Sequence, residues 1–450
     1  MFITITIILT ALTLFVSIKY RSFSKNFNFF LANNNKTQVY ELGLATAAHW
    51  MFAIAIFFGT GIAYKFGYIG LFYFTVPNVL SLIWMGYIAT GIRKKDKRSK
   101  SLVEFIQRNC SKRVSIFFKI ELVILALSAL TLTFLAISKI YDFSGLNLEI
   151  GIESKWIVLG VVVLTLIQAL SGGLKTSLVT GSLQGVLWLI FSIILLMMLS
   201  TNVETNFSKF TGATNVDNLF DKNLMINFAI FTTISLTVGA TSHGSLWQKS
   251  YSSQNLDLRK SYLIAAIVFG IILFSLSFAS LSYVSVDDGL KNQQQAIVKV
   301  VGLVGGEFLL TFFSILVILH SSSLIDAYTN YASFFVSREN NSKSKNLTKL
   351  KIITASMVIG SYIIYLSGVT IWFIFGIMSI ARIINFFILI DITFSKKINE
   401  KVIFNTTALM FLICFSLFVY GKINKESIYV MYSGILGFFI PYLALKIFKK

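Results

Sequence analysis

The sequence predicts an all-α integral membrane protein, and three observations support this fold class. Hydrophobic residues make up 56% of the 450 residues, and the mean hydropathy is +0.77. Charged residues make up only 13%, whereas soluble domains carry about a quarter. Apolar segments of roughly 20 residues, the length that crosses a bilayer as a helix, recur along the whole chain.

About thirteen of these segments are expected to cross the membrane. The first, 2–18, is interpreted as a retained helix rather than a signal peptide, because no small-residue cleavage site precedes the basic stretch that follows it. The expected spans are 2–18, 42–64, 67–91, 115–140, 155–170, 177–200, 223–246, 261–285, 308–336, 350–367, 368–394, 402–420 and 427–446.

The net charge of +20 does not indicate a nucleic-acid partner, because the basic residues lie in alternate loops rather than in one patch. Most of the 39 Lys and Arg residues fall in cytoplasmic loops if the N-terminus is outside and the C-terminus is cytoplasmic, which the positive-inside rule favours. A bacterial inner membrane is the expected setting, although a eukaryotic membrane is also compatible. Cys110 and Cys414 are too few and too far apart for a disulfide framework or a metal cluster.

Two spans contain polar and glycine-rich interruptions. Glu41–Gly67 contains His49 and the run Gly59-Thr60-Gly61, and 223–246 contains Gly239, His243 and Gly244. Broken helices are tolerated at mid-membrane depth where unwound backbone lines a cavity, as in carriers that hold an ion and a solute there. The sequence therefore predicts a transporter site between these two spans.

The two interrupted spans occupy matching positions in two halves of five helices each. We expect one transmembrane transporter domain over 1–450, whose core is a 5+5 inverted repeat. Its predicted parts are a leading helix in 1–20, a first repeat in 42–200, a second repeat in 223–394 and two C-terminal helices in 402–450.

Five short motifs between Phe29 and Phe335 point to a known family. They are FFLANNN, KSLVEFIQRNCSKR, SGGLKTSLVTGSLQ, SLWQKS and SSSLIDAYT. In this order they resemble motifs of the sodium/solute symporter family, which takes up sugars, amino acids, carboxylates, urea and vitamins. The resemblance implies a leucine-transporter-like fold of ten core helices, with one helix before and two after. It also implies cation-coupled symport by alternating access.

The resemblance implies an ion site between the first broken helix and a later helix that carries hydroxyl groups. The carbonyl positions fall at Thr46 and His49, and the polar run is His320, Ser321, Ser322 and Ser323. Two registers remain open, with the family's hydroxyl pair falling either on Leu319 and His320 or on Ser321 and Ser322. Serines in membrane helices also bond to their own backbone, which is the alternative interpretation.

Several residues depart from the family pattern, and these departures favour a proton over sodium as the coupling ion. The family's aspartate in the turn-helix motif is Gly181 here, and an acidic position of some members is Ala48. The three histidines of the chain, His49, His243 and His320, all lie on helices expected to line the site. Sodium takes hard oxygen ligands, whereas imidazole relays protons near neutral pH. The coupling ion is therefore Na⁺ by resemblance or H⁺ through His49 and His320, unless each histidine merely bonds a neighbouring helix.

No metal beyond a possible Na⁺ is expected, since no carboxylate or thiol is placed to join the histidines in a transition-metal site. The family's substrate contacts fall at Ala53, Phe57 and Thr60, with Gly239 and His243 opposite. Ala53 is small and apolar where sugar carriers place an amide. A small amino acid, a urea-like amide or a carboxylate is therefore expected rather than a sugar.

Arg382 lies deep in an apolar span, where a charged side chain costs at least about 2.5 kcal/mol. We expect it to face the interior of the bundle. It would pair with Asp326 as a gating charge pair, bind a carboxylate substrate in passing, or snorkel towards Asp391.

No enzymatic activity and no cofactor are expected. The expected partners are a small-molecule substrate and the lipid bilayer, with the protein as a monomer or a loose homo-oligomer. Two competing functions use the same fold: a solute sensor or receptor acting with a separate signalling partner, and a facilitator or channel. Accumulation of solute against its gradient distinguishes a symporter from both.

Overall fold

The computed structural model describes residues 36–51, 53–99, 101–202, 219–287, 289–331, 343–395 and 399–448, together with four single positions before them. The regular elements of these residues are helices, and the only extended pairing among them is an isolated bridge between Thr37 and Ser253. The predicted all-α class is confirmed.

The helices are numbered here in chain order. They are α1 (Val39–Trp50), α2 (Ala53–Lys95), α3 (Leu102–Asn109), α4 (Lys112–Phe143), α5 (Leu146–Ile150), α6 (Ser154–Asn202), α7 (Lys222–Ser242), α8 (Gly244–Ser252), α9 (Arg259–Ser282), α10 (Ala296–Tyr331), α11 (Lys343–Leu366), α12 (Ile371–Phe394), α13 (Glu400–Ile423) and α14 (Ser427–Ile447).

Within the described residues, 9 helices are long and apolar enough to cross a membrane, and two shorter apolar helices add to them. A helix satisfies its own backbone hydrogen bonds, which is why helices of this length are stable in lipid. The chain is a multi-pass membrane protein. The count of thirteen spans stays a prediction, because the leading segment 2–18 lies almost wholly outside the described residues.

Three long helices are each divided in two by a glycine. Gly67 in α2, Gly173 in α6 and Gly306 in α10 have φ of 63°, 64° and 60° and ψ of −148°, −160° and −161°. This backbone region is essentially open to glycine alone. The turn at Gly173 lies between the expected spans 155–170 and 177–200, both of which fall within α6.

The first broken span is interrupted at Met51, not where the sequence analysis expects it. α1 ends at Trp50, Met51 is non-helical with φ −77° and ψ 71°, and α2 begins at Ala53. The expected break at Gly59-Thr60-Gly61 is wrong, because α2 continues through these residues.

The two glycines serve close packing instead of unwinding. A Cβ on Gly59 would lie 2.6 Å from the Phe74 ring, and one on Gly61 would lie 3.2 Å from the backbone nitrogen of Gln294. Between them, the Thr60 hydroxyl donates to the carbonyl of Ile56 at 2.5 Å, a bond that leaves the helix intact.

The second broken span is interrupted where the sequence analysis places it. α7 closes in a 3₁₀ turn over Gly239–Ser242, and His243 is extended with φ −88° and ψ 107° before α8 begins. Trp247 of α8 donates its indole N–H to the carbonyl of Thr241 at 2.6 Å. This bond joins the two half-helices across the break.

The broken spans lie in the middle of the bundle. Eight of the twelve residues of α1 are buried, and α1 packs between α6 and α9. α9 packs along α2, and α10 packs along α6. Any polar group at either break therefore faces protein rather than lipid.

We predict that Gly306→Ala lowers the free energy of unfolding by about 1–3 kcal/mol, the cost of a non-glycine residue in this backbone region. A Cβ on Gly306 would meet no atom within 4 Å, so the loss reports backbone strain alone. The measurement is denaturant or thermal unfolding of the purified protein in detergent.

Gly302→Ala in the same helix is the matched control. A Cβ there would make only an ordinary contact, 3.7 Å from Leu310, and alanine stabilises a helix interior relative to glycine. Equal stability of the two variants would contradict the strained turn at Gly306.

Candidate ion and solute site

The breaks of the two interrupted spans lie side by side. The rings of Trp50 and His243 meet edge to face with centroids 5.2 Å apart. A Cβ on Gly239 would lie 3.0 Å from the Trp50 ring, so only glycine allows this approach. The hydroxyl of Ser81 accepts a bond from the N–H of Ala240 at 2.7 Å and satisfies one backbone group of the second break.

A histidine–lysine cluster, defined as His49, His320, Lys249 and Ser177, lies on one side of the breaks. The His49 Nδ1 atom lies 2.9 Å from the carbonyl oxygen of Ala45 and is hydrogen-bonded to the Lys249 ammonium group. Lys249 also donates to the Ala45 carbonyl at 2.9 Å. The Ser177 hydroxyl lies 3.5 Å from His49 Nε2. The hydrogen bonds of the Lys249 ammonium group thus connect α8 with α1.

His320 lies directly on the first break. Its Nε2 atom bonds the carbonyl oxygen of Met51, the residue that interrupts the helix. Its ring meets the edge of Trp188 at a centroid distance of 6.1 Å. The side-chain amide of Gln184 donates to the carbonyl of the preceding residue, Leu319, at 3.0 Å. His320 is 1% exposed, so the imidazole is an internal partner for unwound backbone.

Gly181 leaves the space that the His49 ring fills. A Cβ at this position would lie 3.2 Å from both Cε1 and Nδ1 of His49. A side chain at 181 and an imidazole at 49 would therefore crowd each other. The glycine at 181 and the imidazole at 49 are therefore coupled by packing.

The other predicted ion-site residues divide into two groups. Ser321 and Ser322 donate to carbonyl oxygens of their own helix at 2.8 Å each, as the alternative interpretation expects. Ser323 is buried, and Thr46 is buried with no hydrogen-bond partner for its hydroxyl among the described residues. The ion-binding role of all four stays a prediction.

Arg382 lies on the other side of the breaks. Its guanidinium bonds His243 Nε2 and lies 5.8 Å from the centre of the Trp50 ring. The sulfur of Met378 lies 3.2 Å from Nη2. His243 Nδ1 is bonded to the hydroxyl of Tyr328 at 2.7 Å. Arg382 is 2% exposed, and its Nε atom is buried with no hydrogen-bond partner in the described part of the chain.

A small cavity of about 30 Å³ adjoins Arg382, which is room for about two waters. We call it the arginine cavity. Its lining residues come from α1, α2, α4, α7 and α12, and they are Trp50, Ile54, Ala55, Phe58, Phe74, Asn78, Leu132, Leu236, Ile371, Phe375, Met378 and Arg382.

Of the predicted substrate residues whose side chains are described, none lines this cavity. Phe57 packs against Phe143 with ring centroids 6.0 Å apart, and Thr60 bonds its own helix. Gly239 adjoins Trp50 and Arg382. The side chain of Ala53 lies outside the described residues. Because α2 begins only after the break at Met51, the face that it turns to the cavity carries Ile54, Ala55 and Phe58 instead.

The expected pairing of Asp326 with Arg382 stays a prediction, since the Asp326 side chain lies outside the described residues. Among the side chains that are described, no carboxylate forms an ion pair with Arg382. Asp391 bonds the hydroxyl of Ser395 at the end of α12. Arg382 therefore does not snorkel towards Asp391.

Two of the buried charged residues that were not predicted from the sequence are almost completely enclosed. Lys249 is fully buried, although its place in a motif at the end of a span suggests an interfacial lysine. Glu121 is 1% exposed, and the side chain of Asn385 lies beside its carboxyl group. The signals that could have found them are the low hydropathy of the stretch around Lys249 and the acidic residue in the first half of α4, far from Asp142 at its end.

One end of the bundle is closed beneath the site. We call it the basic end, because α2 and the residues after it end there in a run of basic residues. Thr37 donates its N–H to the carbonyl of Ser252 and accepts from the N–H of Gln254, both at 3.1 Å. Arg93 donates to the carbonyl of Ser250 at 2.7 Å. These bonds hold α1, α2 and α8 together.

The opposite end contains an open vestibule of about 620 Å³. Phe58 borders both the vestibule and the arginine cavity. The vestibule is lined by Phe58, Gly61, Ile62, Lys65, Phe66, Lys139, Asp221, Asn223, Leu224, Asn227, Phe228, Asn292, Gln293, Gln294, Trp372, Lys422 and Ser427.

Comparison with known proteins identifies the fold. No family model and no curated protein sequence matches the chain. Among solved structures, a Na⁺-coupled sialic acid symporter in a substrate-bound outward-open state matches with a TM-score of 0.75 at 15% identity. This match covers 98% of this chain and 96% of that chain. The expected leucine-transporter-like fold is confirmed.

A second match is weaker. Mhp1, a nucleobase-cation-symport-1 family transporter in a closed conformation, has a TM-score of 0.37 at 12% identity and covers 96% of this chain and 91% of that chain. No conclusion about this chain rests on that similarity.

We predict that Arg93→Gln opens the basic end more often. The substitution removes charge-assisted hydrogen bonds to the last carbonyl groups of α8, each worth about 1.5–3 kcal/mol. A cysteine at buried Ser245, in a background with Cys110 and Cys414 replaced by serine, should react about ten-fold faster with an impermeant maleimide added from the basic end.

Arg98→Gln is the control, because Arg98 is exposed and lies in the loop that follows the same helix. It should leave the labelling rate unchanged. Equal rates for Arg93→Gln and Arg98→Gln would show that the Arg93 bonds do not hold the basic end closed.

Proposed function

We propose that the chain is a secondary active transporter, which moves a small polar solute together with a cation by alternating access. The observation that carries this proposal is the meeting of two broken spans, at Met51 and His243, around buried nitrogen groups and a cavity. With the basic end closed, the vestibule opposite is the side from which a solute would approach the site. This is the arrangement that alternating access requires.

We further propose that the coupling ion is H⁺, bound by His49 and His320 with Lys249. Two carbonyl groups at the first broken span already accept bonds from nitrogen groups, Ala45 from Lys249 and Met51 from His320. Sodium would need such oxygens as ligands. Because the His49 imidazole is hydrogen-bonded to the Lys249 ammonium group, a proton gained or lost by His49 would act directly on Lys249.

Proton binding would act on the closed basic end. With a proton added, His49 and Lys249 are both cationic, and two like charges in a low-dielectric interior repel strongly. α8 would then separate from α1, which weakens the Thr37–Ser252 and Arg93–Ser250 bonds. The site would open at the basic end and release both proton and solute.

Na⁺ is the second candidate. The motifs resemble the sodium/solute symporter family, and the structural neighbour is a Na⁺-coupled symporter. The Thr46 hydroxyl is buried without a hydrogen-bond partner among the described residues, so it could serve as an oxygen ligand. We place the protein in a bacterial inner membrane, with the N-terminus outside and the basic end cytoplasmic.

The test is uptake of a solute panel into vesicles with an imposed pH or Na⁺ gradient. We expect accumulation driven by the pH gradient without Na⁺. His49→Ala and His320→Ala should each reduce proton-driven accumulation about ten-fold or more, the effect typical of losing a group that transfers a proton. Thr407→Ala in α13 is the matched control, because this buried hydroxyl donates to the carbonyl of Ile403 in its own helix and lies outside the site.

Other outcomes would select the competing functions. Uptake that needs Na⁺ and survives both histidine substitutions would assign the coupling to sodium. Downhill flux that no gradient can drive into accumulation would indicate a facilitator. Binding of a solute without any flux would indicate a sensor that acts with a separate signalling partner.

A further inference from the structure

We propose that the transported solute is a small organic anion with a single carboxylate on an apolar body. It enters through the lysine-lined vestibule, passes an aromatic lid, and binds to Arg382 in the arginine cavity. This inference rests on the proposed transport function and names the substrate class of the same site.

The vestibule is suited to attract anions. Its described lining includes three lysines, Lys65, Lys139 and Lys422, and one aspartate, Asp221. None of the three lysines forms an ion pair with a described carboxylate. Their ammonium groups instead lie over aromatic rings at 4.9–5.0 Å. A concave surface with excess positive charge raises the local concentration of anions.

An aromatic lid, defined as Phe58, Trp372 and Phe375, separates the vestibule from the arginine cavity. Trp372 lines the vestibule, Phe375 lines the cavity, and Phe58 borders both. The Phe58 ring lies 4.6 Å from the Trp372 ring and 5.3 Å from the Phe375 ring. Lys422 lies 4.9 Å above Trp372. An anion held by Lys422 is therefore already at the lid.

Beyond the lid, Arg382 is the group that can receive a carboxylate. The guanidinium is fully buried, has no carboxylate in ion-pair contact among the described side chains, and keeps one N–H, at Nε, without a partner. Its planar group of donors matches the two oxygens of a carboxylate. A buried charge is stabilised most by an opposite charge beside it. The substrate would supply that charge.

The residues that line the arginine cavity beside Arg382 indicate that the rest of the solute is apolar. Ten of the twelve residues that line the cavity are apolar, and the exceptions are Arg382 and Asn78. Asn78 uses its amide N–H₂ group to donate to the carbonyl of Phe74 at 2.8 Å. A sugar or an inorganic anion would lose water here without enough hydrogen bonds to replace it. A carboxylate on an apolar body would exchange its water for the Arg382 guanidinium, and its apolar part would need no hydrogen bonds.

The cavity also disfavours an ammonium group on the solute. No acidic side chain is among its described lining residues, so the ammonium of an amino acid would lie near Arg382 without a counter-charge. Because the closed cavity has only about 30 Å³, the lid and the apolar side chains must move apart when a solute enters.

The test is binding to the purified full-length protein, measured by thermal stabilisation and tryptophan fluorescence. The probes are 4-methylpentanoate and 3-phenylpropanoate, their primary amides, and leucine, which adds an ammonium group to 4-methylpentanoate. We expect the carboxylates to bind, and the amides and leucine to bind about ten-fold more weakly or worse, the loss typical of a missing charged hydrogen bond. Arg382→Gln should abolish the difference between acid and amide, and Arg382→Lys should restore it only in part.

The vestibule is tested separately, so that a misfolded Arg382 variant does not end the experiment. Uptake of the carboxylate by vesicles carrying the combined Lys65→Gln, Lys139→Gln and Lys422→Gln substitutions should show a several-fold higher KM at low salt and an unchanged kcat. The difference should vanish near 1 M salt, where charges are screened within about 3 Å. Substitution of three exposed lysines at the basic end, Lys94, Lys97 and Lys112, is the control and should leave KM unchanged.

Failure of this inference and of the transport function are distinguishable. Amides or leucine that bind as tightly as the carboxylates, or no stabilisation by either carboxylate, would overturn the anion inference even if another solute is transported. Carboxylate binding that depends on Arg382, without gradient-driven uptake, would support the anion site and refute transport.

Discussion

The structure depends on one constraint, which is that every backbone polar group inside a bilayer needs a partner within the protein. Uninterrupted helices meet this requirement alone, but the spans broken at Met51 and His243 do not. Their unpaired groups are satisfied from neighbouring helices, by the imidazole of His320 and the hydroxyl of Ser81, and across the break by the indole of Trp247. The imidazoles of His320 and His243 and the guanidinium of Arg382 are buried beside these breaks, and this places the site in the interior of the bundle.

Much of the fold could be predicted from hydropathy and glycine. The spans follow from apolar length, and the turn at Gly173 follows from a Gly-Gly pair between two spans. The second break follows from Gly239 and His243, which lie together in an apolar run. The first break could not be located in this way, because glycines have two uses. At Gly59 and Gly61 they allow helices to approach closely, while Met51, which does interrupt the helix, has no sequence signal of its own.

Most polar residues of the site could be predicted from the sequence, but their contacts with one another could not. Polar residues in apolar spans must face the interior, so His49, His320 and Arg382 were expected there. Which groups meet depends on helix rotation, and a shift of one residue turns a side chain by about 100°. For this reason Phe58 rather than Phe57 reaches the cavity, and Lys249, whose sequence context resembles that of an interfacial lysine, reaches His49.

The two sides of the site are coupled by charge. His49 and Trp50 are adjacent in α1, and Trp50 lies against both His243 and Arg382. The histidine–lysine cluster and the arginine cavity are therefore neighbours in one low-dielectric interior, where charges interact strongly. With Lys249 and Arg382 already cationic, a further proton on His49 is unfavourable until an opposite charge arrives. We expect an anionic solute on Arg382 to supply this charge, so that solute binding would favour proton binding and each ligand would raise the affinity for the other. Such reciprocity would suit a symporter, because a carrier that moves either ligand alone across the membrane lets the ion gradient dissipate.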